Sequence, residues 1–346
     1  MSVTELNEDP SGIAVASRPG AGDPEYLVTL ISDEIERRWS FAERSLDHAC
    51  RHALLPTGKL FRPILMLESA LAVGGDAKAV LPAAVGAECG HSASLVHDDI
   101  IDGDDLRRGQ PAVHRVFGRD EAIVAGDALI FHLFAGLAEC RGAGIESDRI
   151  AWALAAVAQA GIDMCRGQSL EAEVGLDPSC GADDYITIAR LKTAAFFRGA
   201  CECGAILGGG TPGWVAAIGR YGELLGIAFQ IHDDLLGYTS DTSTMGKSAA
   251  SDVRNRRFTL PVIYARAAAS PADRRRIDNL YAADLDPASM LGEMKELLLR
   301  TGGLAAAEQE ARINALAARQ ALDELPPSRS VAVLARFADS AIDRTY

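Results

Sequence analysis

The sequence predicts an all-α protein, and three observations support that prediction. Ala, Leu, Glu and Arg, which favour helices, dominate the chain from Tyr26 onward. β-Branched runs are short there, and no stretch alternates apolar and polar residues for long. The 346 residues are 48% hydrophobic and 24% charged, an ordinary balance for a globular protein with a sizeable core.

The chain divides into a short tail and one long helical region. Residues 1–25 are polar, rich in Gly, Pro and Ser and without periodicity, so we predict a mobile tail. No linker interrupts residues 26–346, which we predict to form a single domain. The predicted helices span 26–54, 60–73, 77–102, 120–140, 147–174, 182–208, 213–238, 257–269, 271–283, 287–301, 303–322 and 329–345.

One helix boundary is marked by the run Gly208–Gly210, followed by Thr211 and Pro212. Glycines often end a helix, Thr is a good N-cap, and Pro is favoured at the first helical position. A glycine run can also cradle phosphate, but here no strand precedes it and no Lys-Ser/Thr pair follows. We therefore interpret it as the end of one helix and the start of the next.

The overall charge restricts the partners. The chain has 34 Lys and Arg against 48 Asp and Glu, a net charge of −14. Such acidity argues against a nucleic-acid partner, although a local basic cluster or a metal can still attract anions. The apolar stretch around 150–161 is too short and too rich in Ala to span a bilayer, so we expect no transmembrane segment.

The cysteines indicate a reducing compartment. They are odd in number, their spacings match no zinc motif, and no signal peptide is predicted at the start of the chain. We expect free thiols and a cytoplasmic protein. The seven are Cys50, Cys89, Cys140, Cys165, Cys180, Cys201 and Cys203.

Three aspartates at the end of the 77–102 helix are candidate metal ligands. Asp98 and Asp102 lie about 40° apart around a helix axis and about 6 Å apart along it, with Asp99 beside them. Carboxylates that close repel one another unless a cation lies between them. Oxygen-only ligands suit Mg²⁺ rather than zinc.

A second acidic pair repeats this pattern. Asp233 and Asp234 follow an apolar residue and His, as Asp98 and Asp99 do, but the residue four positions after Asp233 is Gly237. Two such helix ends facing one cavity would hold several Mg²⁺ ions. Because these ions need anionic oxygens to complete their shells, the pattern indicates a phosphate or diphosphate substrate.

Basic and polar residues near these motifs are candidate substrate ligands. Each alone is more often a solvated charge, but the set indicates an anion site, because a Lys inside an apolar helix needs an anionic partner. His91, two turns before Asp98, is a candidate substrate contact, whereas His97 and His232 are interpreted as packing residues. The basic candidates are Lys59, Arg62, Arg107, Arg108, Lys192 and Lys247.

In order along the chain, these motifs resemble the trans-isoprenyl diphosphate synthases, the polyprenyl synthetase family. The resemblance covers roughly residues 26–346. One DDxxD motif is a weak signal, but the ordered series is a strong one. The series is Gly58-Lys59-x-x-Arg62-Pro63, His91-x-x-Ser94-Leu95-x-His97-Asp98-Asp99-x-x-Asp102, Arg107-Arg108-Gly109, Gly126-Asp127, Gly167-Gln168, Lys192-Thr193, Phe229-Gln230-x-x-Asp233-Asp234, Gly246-Lys247 and Thr259-Leu260-Pro261.

The resemblance implies an all-α bundle around a deep central cavity, the isoprenoid synthase type I fold, usually as a homodimer. It implies a Mg²⁺-dependent prenyltransferase that joins isopentenyl diphosphate to an allylic diphosphate. By resemblance, the metal ligands are Asp98, Asp99, Asp102, Asp233 and Asp234. The allylic diphosphate ligands are Arg107, Lys192, Thr193, Gln230 and Lys247, with Lys192 also catalytic. The isopentenyl diphosphate ligands are Lys59, Arg62, His91 and Arg108, with Gln168 nearby.

Two single residues and one loop depart from the family pattern. Gly237 stands where the second acidic motif usually ends in Asp, and this change would weaken metal capture. Glu171 stands where Asp is common, and Arg254-Asn255-Arg256-Arg257 replaces a loop that commonly carries Lys.

Other functions compete with this one. A class I terpene cyclase on the same fold would not need the isopentenyl diphosphate ligands. A non-catalytic partner subunit of a heteromeric synthase would commonly lose its acidic motifs, and here the first motif is complete. A Mg²⁺-dependent diphosphate hydrolase would not need an apolar wall that excludes water.

The small residues before Asp98 bear on product length. In the family, a bulky aromatic residue four or five positions before this Asp stops the chain early. Here Ser94, Ala93, Gly90 and Cys89 are all small, which predicts geranylgeranyl diphosphate or longer, with geranylgeranyl diphosphate expected. Phe131 and Phe134 are alternative floors of the cavity.

Overall fold

The computed structural model describes residues 24–175, 177–239, 257–282 and 287–341. Apart from one two-stranded hairpin, the regular structure in these ranges is helical, which confirms the all-α prediction. Residues 1–23 of the predicted tail lie outside the described ranges. The elements are α1 (Pro24–Arg38), α2 (Ser45–Leu54), α3 (Phe61–Ala72), α4 (Ala77–Asp102), β1 (Leu106–Arg107), β2 (Gln110–Pro111), α5 (Val113–Phe117), α6 (Arg119–Glu139), α7 (Ser147–Val174), α8 (Ala182–Ala189), α9 (Ala195–Leu207), α10 (Pro212–Thr239), α11 (Leu260–Ala268), α12 (Pro271–Ala282), α13 (Pro287–Thr301), α14 (Gly303–Ala321) and α15 (Arg329–Ser340).

Helices α4 and α6 pack against each other closely because glycines line their contact. A Cβ atom on Gly86 would lie 2.9 Å from the carbonyl oxygen of Leu133, and one on Gly126 would overlap the ring of His97. His97 therefore packs between the two helices, in agreement with the sequence interpretation. The close packing fixes α4, which carries the first acidic motif.

Two clusters of buried apolar side chains form the core, and α10 contributes to both. Ile218 and Leu225 belong to the larger cluster with α1–α4, α6, α7 and α9. Ile231 and Leu235 belong to the smaller cluster with α8 and α11–α14. The second acidic pair therefore lies on the part of α10 that packs in the smaller cluster.

The predicted helix 26–54 is wrong in its middle, because the chain leaves the helix between α1 and α2. Trp39 is 7% exposed, its ring lies 5.4 Å from that of His132, and its carbonyl accepts a hydrogen bond from Arg51. The carboxylate of Asp47 accepts hydrogen bonds from the backbone N–H groups of Glu43 and Arg44, which starts α2. Tertiary burial of Trp39 thus overrides local helix propensity.

The predicted helix 182–208 contains a wider turn. Residues Arg190–Ala194 form a π-helical turn between α8 and α9. A Cβ on Gly167 of α7 would overlap the backbone nitrogen of Lys192, and one on Gly226 of α10 would lie 2.5 Å from the Cα of Ala194. Two glycines on neighbouring helices therefore let the widened backbone fit.

The hairpin β1–β2 and the short α5 were not predicted. The loop residues Arg108 and Gly109 both have positive φ, 51° and 77°, as a two-residue hairpin loop requires. Elsewhere the predicted bounds hold within a few residues, and α4 and α7 begin and end where predicted; the predicted end of the last helix, at 345, lies outside the described residues. Thr211 caps α10 as predicted, because its Oγ1 accepts a hydrogen bond from the backbone N–H of Trp214 at 3.3 Å.

Candidate active site

A polar pocket lies where α7, the π-turn, α10 and the start of α11 meet. Its volume is about 560 Å³ and it is open to solvent. Glu171, Lys192, Gln230, Asp234 and Arg257 supply its charged and amide groups, while Tyr185, Ile188 and Phe258 give it an apolar side. The pocket therefore brings together residues from three separate sequence motifs.

Asp98 and Asp102 of α4 do not line this pocket but interact with residues that do. Burial raises the pKa of Asp98; Lys192 lowers it, and the nearby Asp102 and Glu171 carboxylates raise it. Asp102 accepts a hydrogen bond from Arg257 at 2.6 Å. These interactions join the first acidic motif to the pocket, and the metal role of Asp98 and Asp102 stays a prediction.

Asp99 is placed differently from its two neighbours. It is 2% exposed and accepts hydrogen bonds from Arg107, from Nε at 2.9 Å and also from Nη2. Burial lowers the pKa of Arg107, but the hydrogen bond to Asp99 and the negative charges of Asp99, Asp104 and Asp98 together outweigh burial, so the net pKa is raised. Both residues line a separate small pocket between α2, α4 and the hairpin, so Asp99 and Arg107 hold each other here. The predicted metal role of Asp99 and diphosphate role of Arg107 stay predictions.

The second acidic pair has one buried and one exposed member. Asp234 is 5% exposed and accepts hydrogen bonds from the Tyr185 hydroxyl at 2.6 Å and from Nε2 of Gln230 at 2.8 Å. Asp233 is exposed. Gln230 also accepts a hydrogen bond from the Thr193 hydroxyl at 2.6 Å. The π-turn and α10 are therefore linked by a chain of polar side chains.

Glu171 connects the cations of the pocket. Its carboxylate lies 2.6 Å from Nζ of Lys192 and 3.4 Å from the guanidinium of Arg257. The Tyr281 hydroxyl donates to the backbone carbonyl of Arg257 at 2.9 Å, and the Phe258 ring stacks on Tyr281. The pocket thus holds two cations near a rim of carboxylates. Lys247, another predicted ligand, lies outside the described residues.

The predicted isopentenyl diphosphate ligands form a second cluster. Arg62 and His91 are half-buried, and Arg62 Nε and His91 Nδ1 are buried atoms that have no hydrogen-bond partner in the described structure. Burial lowers the pKa of Arg62 to about 10, with Arg108 adding to the shift and Glu88 opposing it. Burial and the same arginines hold the pKa of His91 well below its usual value. Lys59 is exposed, three residues before Arg62 in the chain.

The backbone beside two of these residues is left-handed. Leu60, between Lys59 and Arg62, has φ of 52°, and Arg108 itself has φ of 51°. Non-glycine residues rarely adopt this conformation, and it concentrates at functional sites.

Aromatic rings lie between the two clusters. The guanidinium of Arg62 lies 4.6 Å from the ring centroid of Phe197, whose ring centroid is 5.3 Å from that of Phe229. Phe229 precedes Gln230 of the polar pocket. The two clusters of charged side chains are therefore neighbours across an apolar wall.

The donor set fits Mg²⁺ in its chemistry. Carboxylate oxygens are the ligands Mg²⁺ prefers. The raised pKa of Asp98 reflects burial first and then the nearby carboxylates of Asp102 and Glu171, and a divalent cation would offset both effects. In the described ranges, no three His, Cys, Asp or Glu side chains converge closely enough to hold an ion as they stand. The remaining ligands would come from substrate oxygens and water.

Three participants were missed by the sequence analysis. Glu171 and Arg257 were noted as departures but not as site residues, and Glu88 was not noted at all. Glu88 could have been found, because it shares the helix face of His91 and Asp98 inside an apolar run. Phe131, predicted as an alternative residue that closes the bottom of the cavity, cannot do so within a single chain. It is 71% exposed on the outer side of α6.

Comparison with known proteins gives the class. The polyprenyl synthetase family model matches residues 43–298. The chain is 36% identical over 304 residues to the short chain isoprenyl diphosphate synthase of Methanothermobacter thermautotrophicus, covering 87% of this chain and 91% of that one. It is 34% identical over 303 residues to the geranylfarnesyl diphosphate synthase of Aeropyrum pernix, covering 86% and 93%.

Solved structures agree in fold. The geranylgeranyl pyrophosphate synthetase of Pyrococcus horikoshii superposes with a TM-score of 0.84 at 33% identity, covering 93% of this chain and 97% of that one. A Caulobacter crescentus polyprenyl synthase, complexed with calcium and isoprenyl diphosphate, gives 0.84 at 28% identity, covering 95% and 100%. The chain belongs to the polyprenyl synthetase family and is a prenyltransferase.

Proposed function

We propose that this chain condenses isopentenyl diphosphate with an allylic diphosphate in a Mg²⁺-dependent reaction, and that its main product is geranylgeranyl diphosphate. The observation that carries the proposal is the pair of cationic clusters separated by the Phe197–Phe229 wall. A two-substrate condensation needs two diphosphate sites with their hydrocarbon ends close together.

The polar pocket suits the allylic diphosphate. Lys192, Thr193 and Gln230 line it and would hold the phosphate oxygens, with Lys247 proposed from the sequence. Asp98, Asp102 and Asp233 would hold Mg²⁺, and Asp234 would orient Gln230 through the bond at 2.8 Å. Bound Mg²⁺ supplies positive charge opposite the leaving diphosphate.

The second cluster suits isopentenyl diphosphate. Lys59, Arg62 and Arg108 carry positive charge, and His91 is neutral at neutral pH because its pKa is held low. The buried Nε of Arg62 and Nδ1 of His91 would gain partners from a bound anion or its water. Phe197 and Phe229 would keep water from the allylic cation while the isopentenyl double bond attacks it. As the new bond forms, a proton is lost, and the departing diphosphate is our proposed base.

The experiment is product sizing. Purified protein is incubated with Mg²⁺, labelled isopentenyl diphosphate and allylic primers of five, ten or fifteen carbons. We expect labelled twenty-carbon diphosphate, and no turnover when isopentenyl diphosphate is omitted. Turnover of an allylic diphosphate alone, giving a hydrocarbon or an alcohol, would instead identify a cyclase or a hydrolase. No turnover would favour a non-catalytic subunit.

We also propose that the protein is a cytoplasmic homodimer. By length and composition alone, the segment 119–143 containing α6 could cross a membrane, but one such helix is weak evidence. The inner side of α6 packs on α4, while Ile123, Val124, Ile130 and Phe131 are 40%, 49%, 36% and 71% exposed along its outer side. A second copy covering this stripe would bury it. Sedimentation of the wild type and of Phe131→Glu tests this, and we expect the variant to shift toward monomer.

A further inference from the structure

Glu88 is a buried carboxylate that the roles above leave unused. It is 1% exposed and lies on α4 among Val85, Gly86, Ala87 and Cys89, which are themselves buried. Taking an ionised carboxylate out of water is costly, so such a residue needs cationic partners or a functional reason.

The partners of Glu88 are two arginines of the proposed isopentenyl diphosphate site. Its Oε1 lies 3.4 Å from Nη2 of Arg108. Burial raises the pKa of Glu88, and the positive charges of Arg108 and Arg62 act in the opposite direction. Glu88 is thus the ion-pair partner of Arg108, and its negative charge also acts on Arg62.

Both guanidiniums are also confined by their surroundings. A Cβ on Gly58 would lie 2.7 Å from Cζ of Arg108, so only glycine leaves room for that side chain. Arg62 lies against the face of Phe197 and has no hydrogen-bond partner at Nε in the described structure. Without a counter-charge, two cations held in one half-buried corner would repel each other.

We propose that Glu88 is a positioning residue that holds Arg62 and Arg108 side by side, ready for the diphosphate of isopentenyl diphosphate. This inference rests on the proposed function of the second cluster. Glu88 itself does not touch the substrate.

A buried carboxylate could also repel an incoming diphosphate. Whether this repulsion or the positioning of the arginines dominates depends on how deeply Glu88 is buried relative to Arg108. The side chain of Glu88 is 1% exposed, whereas that of Arg108 is 24% exposed. Arg108 lines the open pocket beside the hairpin and Glu88 does not, so an incoming anion reaches the guanidinium before the carboxylate. Holding the arginines in place then outweighs the more distant repulsion.

The test is Glu88→Gln, which keeps the shape and removes the charge, compared with Glu68→Gln. Glu68 is an equally buried glutamate, 1% exposed, on α3 next to the C-terminal helix α15. Calorimetric titration with isopentenyl diphosphate alone gives Kd, and steady-state assays give KM for each substrate. Circular dichroism and thermal melting of both variants record any loss of fold.

We expect Glu88→Gln to raise Kd and KM for isopentenyl diphosphate at least about tenfold, because the two guanidiniums would then repel each other and leave the positions in which they meet the diphosphate. KM for the allylic substrate should stay within twofold. Glu68→Gln should leave both values unchanged, even if both variants melt earlier. Unchanged or tighter binding in a folded Glu88→Gln would overturn the inference, as would equal losses for both substrates. If wild-type protein binds no isopentenyl diphosphate, the proposed function fails instead, and this result is seen before any variant is made.

Discussion

The guanidinium of Arg257, just before α11, donates a hydrogen bond to the carboxylate of Asp102 at the end of α4, at a distance of 2.6 Å. The same guanidinium lies 3.4 Å from Glu171 of α7. Arg257 therefore occupies one side of a carboxylate that we assign to Mg²⁺. The protein's own cation and the metal would compete for Asp102.

Arg257→Gln should lower the Mg²⁺ concentration needed for half-maximal activity. The competing ion pair is partly exposed and worth at most about 1 kcal/mol, so the expected shift is about threefold. A Mg²⁺ titration of activity at saturating substrates measures it. Arg276→Gln, which breaks a surface pair with Glu293 at 2.7 Å, is the control and should not shift the titration. A higher Mg²⁺ requirement in Arg257→Gln would mean that Arg257 serves the substrate instead.

Asp98→Ala and Asp102→Ala should each reduce kcat by about a thousandfold, because charge stabilisation at the leaving group is lost. Asp105, three residues beyond Asp102, is exposed and paired with Arg115, so Asp105→Ala should behave as wild type. Steady-state kinetics check the rates, and far-ultraviolet circular dichroism checks the fold. Near-normal turnover in either of the first two variants would remove the metal role.

Gly167→Ala should disturb the π-turn that carries Lys192 and Thr193, because the added Cβ would overlap the Lys192 backbone. Small displacements of positioning groups are costly, so kcat/KM for the allylic substrate should fall at least about tenfold. Gly161→Ala, on the same helix with nothing within 4 Å of its Cβ, is the matched control and should keep full activity. The fold of both variants is compared by thermal melting.

If Gly167→Ala melts as wild type and keeps its kinetics, the π-turn does not depend on this glycine. If both substrates lose affinity equally, the effect is general rather than local.

The elements predicted best were those whose signals are local. Helix α4 has the predicted bounds because Asp76 caps its start and Gly103, at φ of 66°, ends it. The spacing of Asp98 and Asp102 on that helix likewise needs no tertiary information. Local spacing of this kind is enough to identify candidate ligands that share one helix face.

The features that were missed depend on distant parts of the chain. The break after Trp39 arises from contact with His132, and the π-turn from Gly167 and Gly226. Arg257 meets Asp102 across 155 positions of sequence. Helix periodicity and residue type say nothing about contacts between residues that are far apart in the sequence. The pairing of the acidic side chains with particular cations could therefore not be predicted.

Stability should depend on pH through Glu34 of α1. Its hydrogen bond with Arg37, with burial opposing and Arg38 adding to it, lowers the pKa of Glu34 to about 2. A carboxylate whose folded pKa is depressed stabilises the protein above its unfolded pKa of 4.5, and the effect is lost as pH falls through about 2.

Glu34→Gln should therefore destabilise the protein by about 1 kcal/mol at pH 7, a value reduced for solvent screening. The difference from wild type should shrink steadily below pH 4.5. Urea unfolding at pH 7 and pH 3 measures it, with Glu36→Gln, an exposed residue of the same helix, as the control. An effect of the same size at both pH values would show that lost packing, rather than charge, is responsible.

Product length should depend on the small buried side chains before Asp98. Ala93 is 1% exposed, and a Cβ placed on Gly90 would lie 3.0 Å from both Cδ2 of Leu133 and Cζ of Phe196. We infer that the prenyl tail passes Ala93 and ends near Leu133 and Phe196.

Ala93→Phe should therefore shorten the main product from twenty carbons to fifteen or ten, whereas Leu133→Ala should lengthen it. Ile101→Phe adds the same ring to an exposed position of α4, 61% exposed, and should leave the product unchanged. Chromatography of the dephosphorylated products measures the product chain length for the wild type and the three variants. A native product of fifteen carbons or fewer would refute the argument from small residues, and an unshortened product in Ala93→Phe would mean that Ala93 does not face the tail.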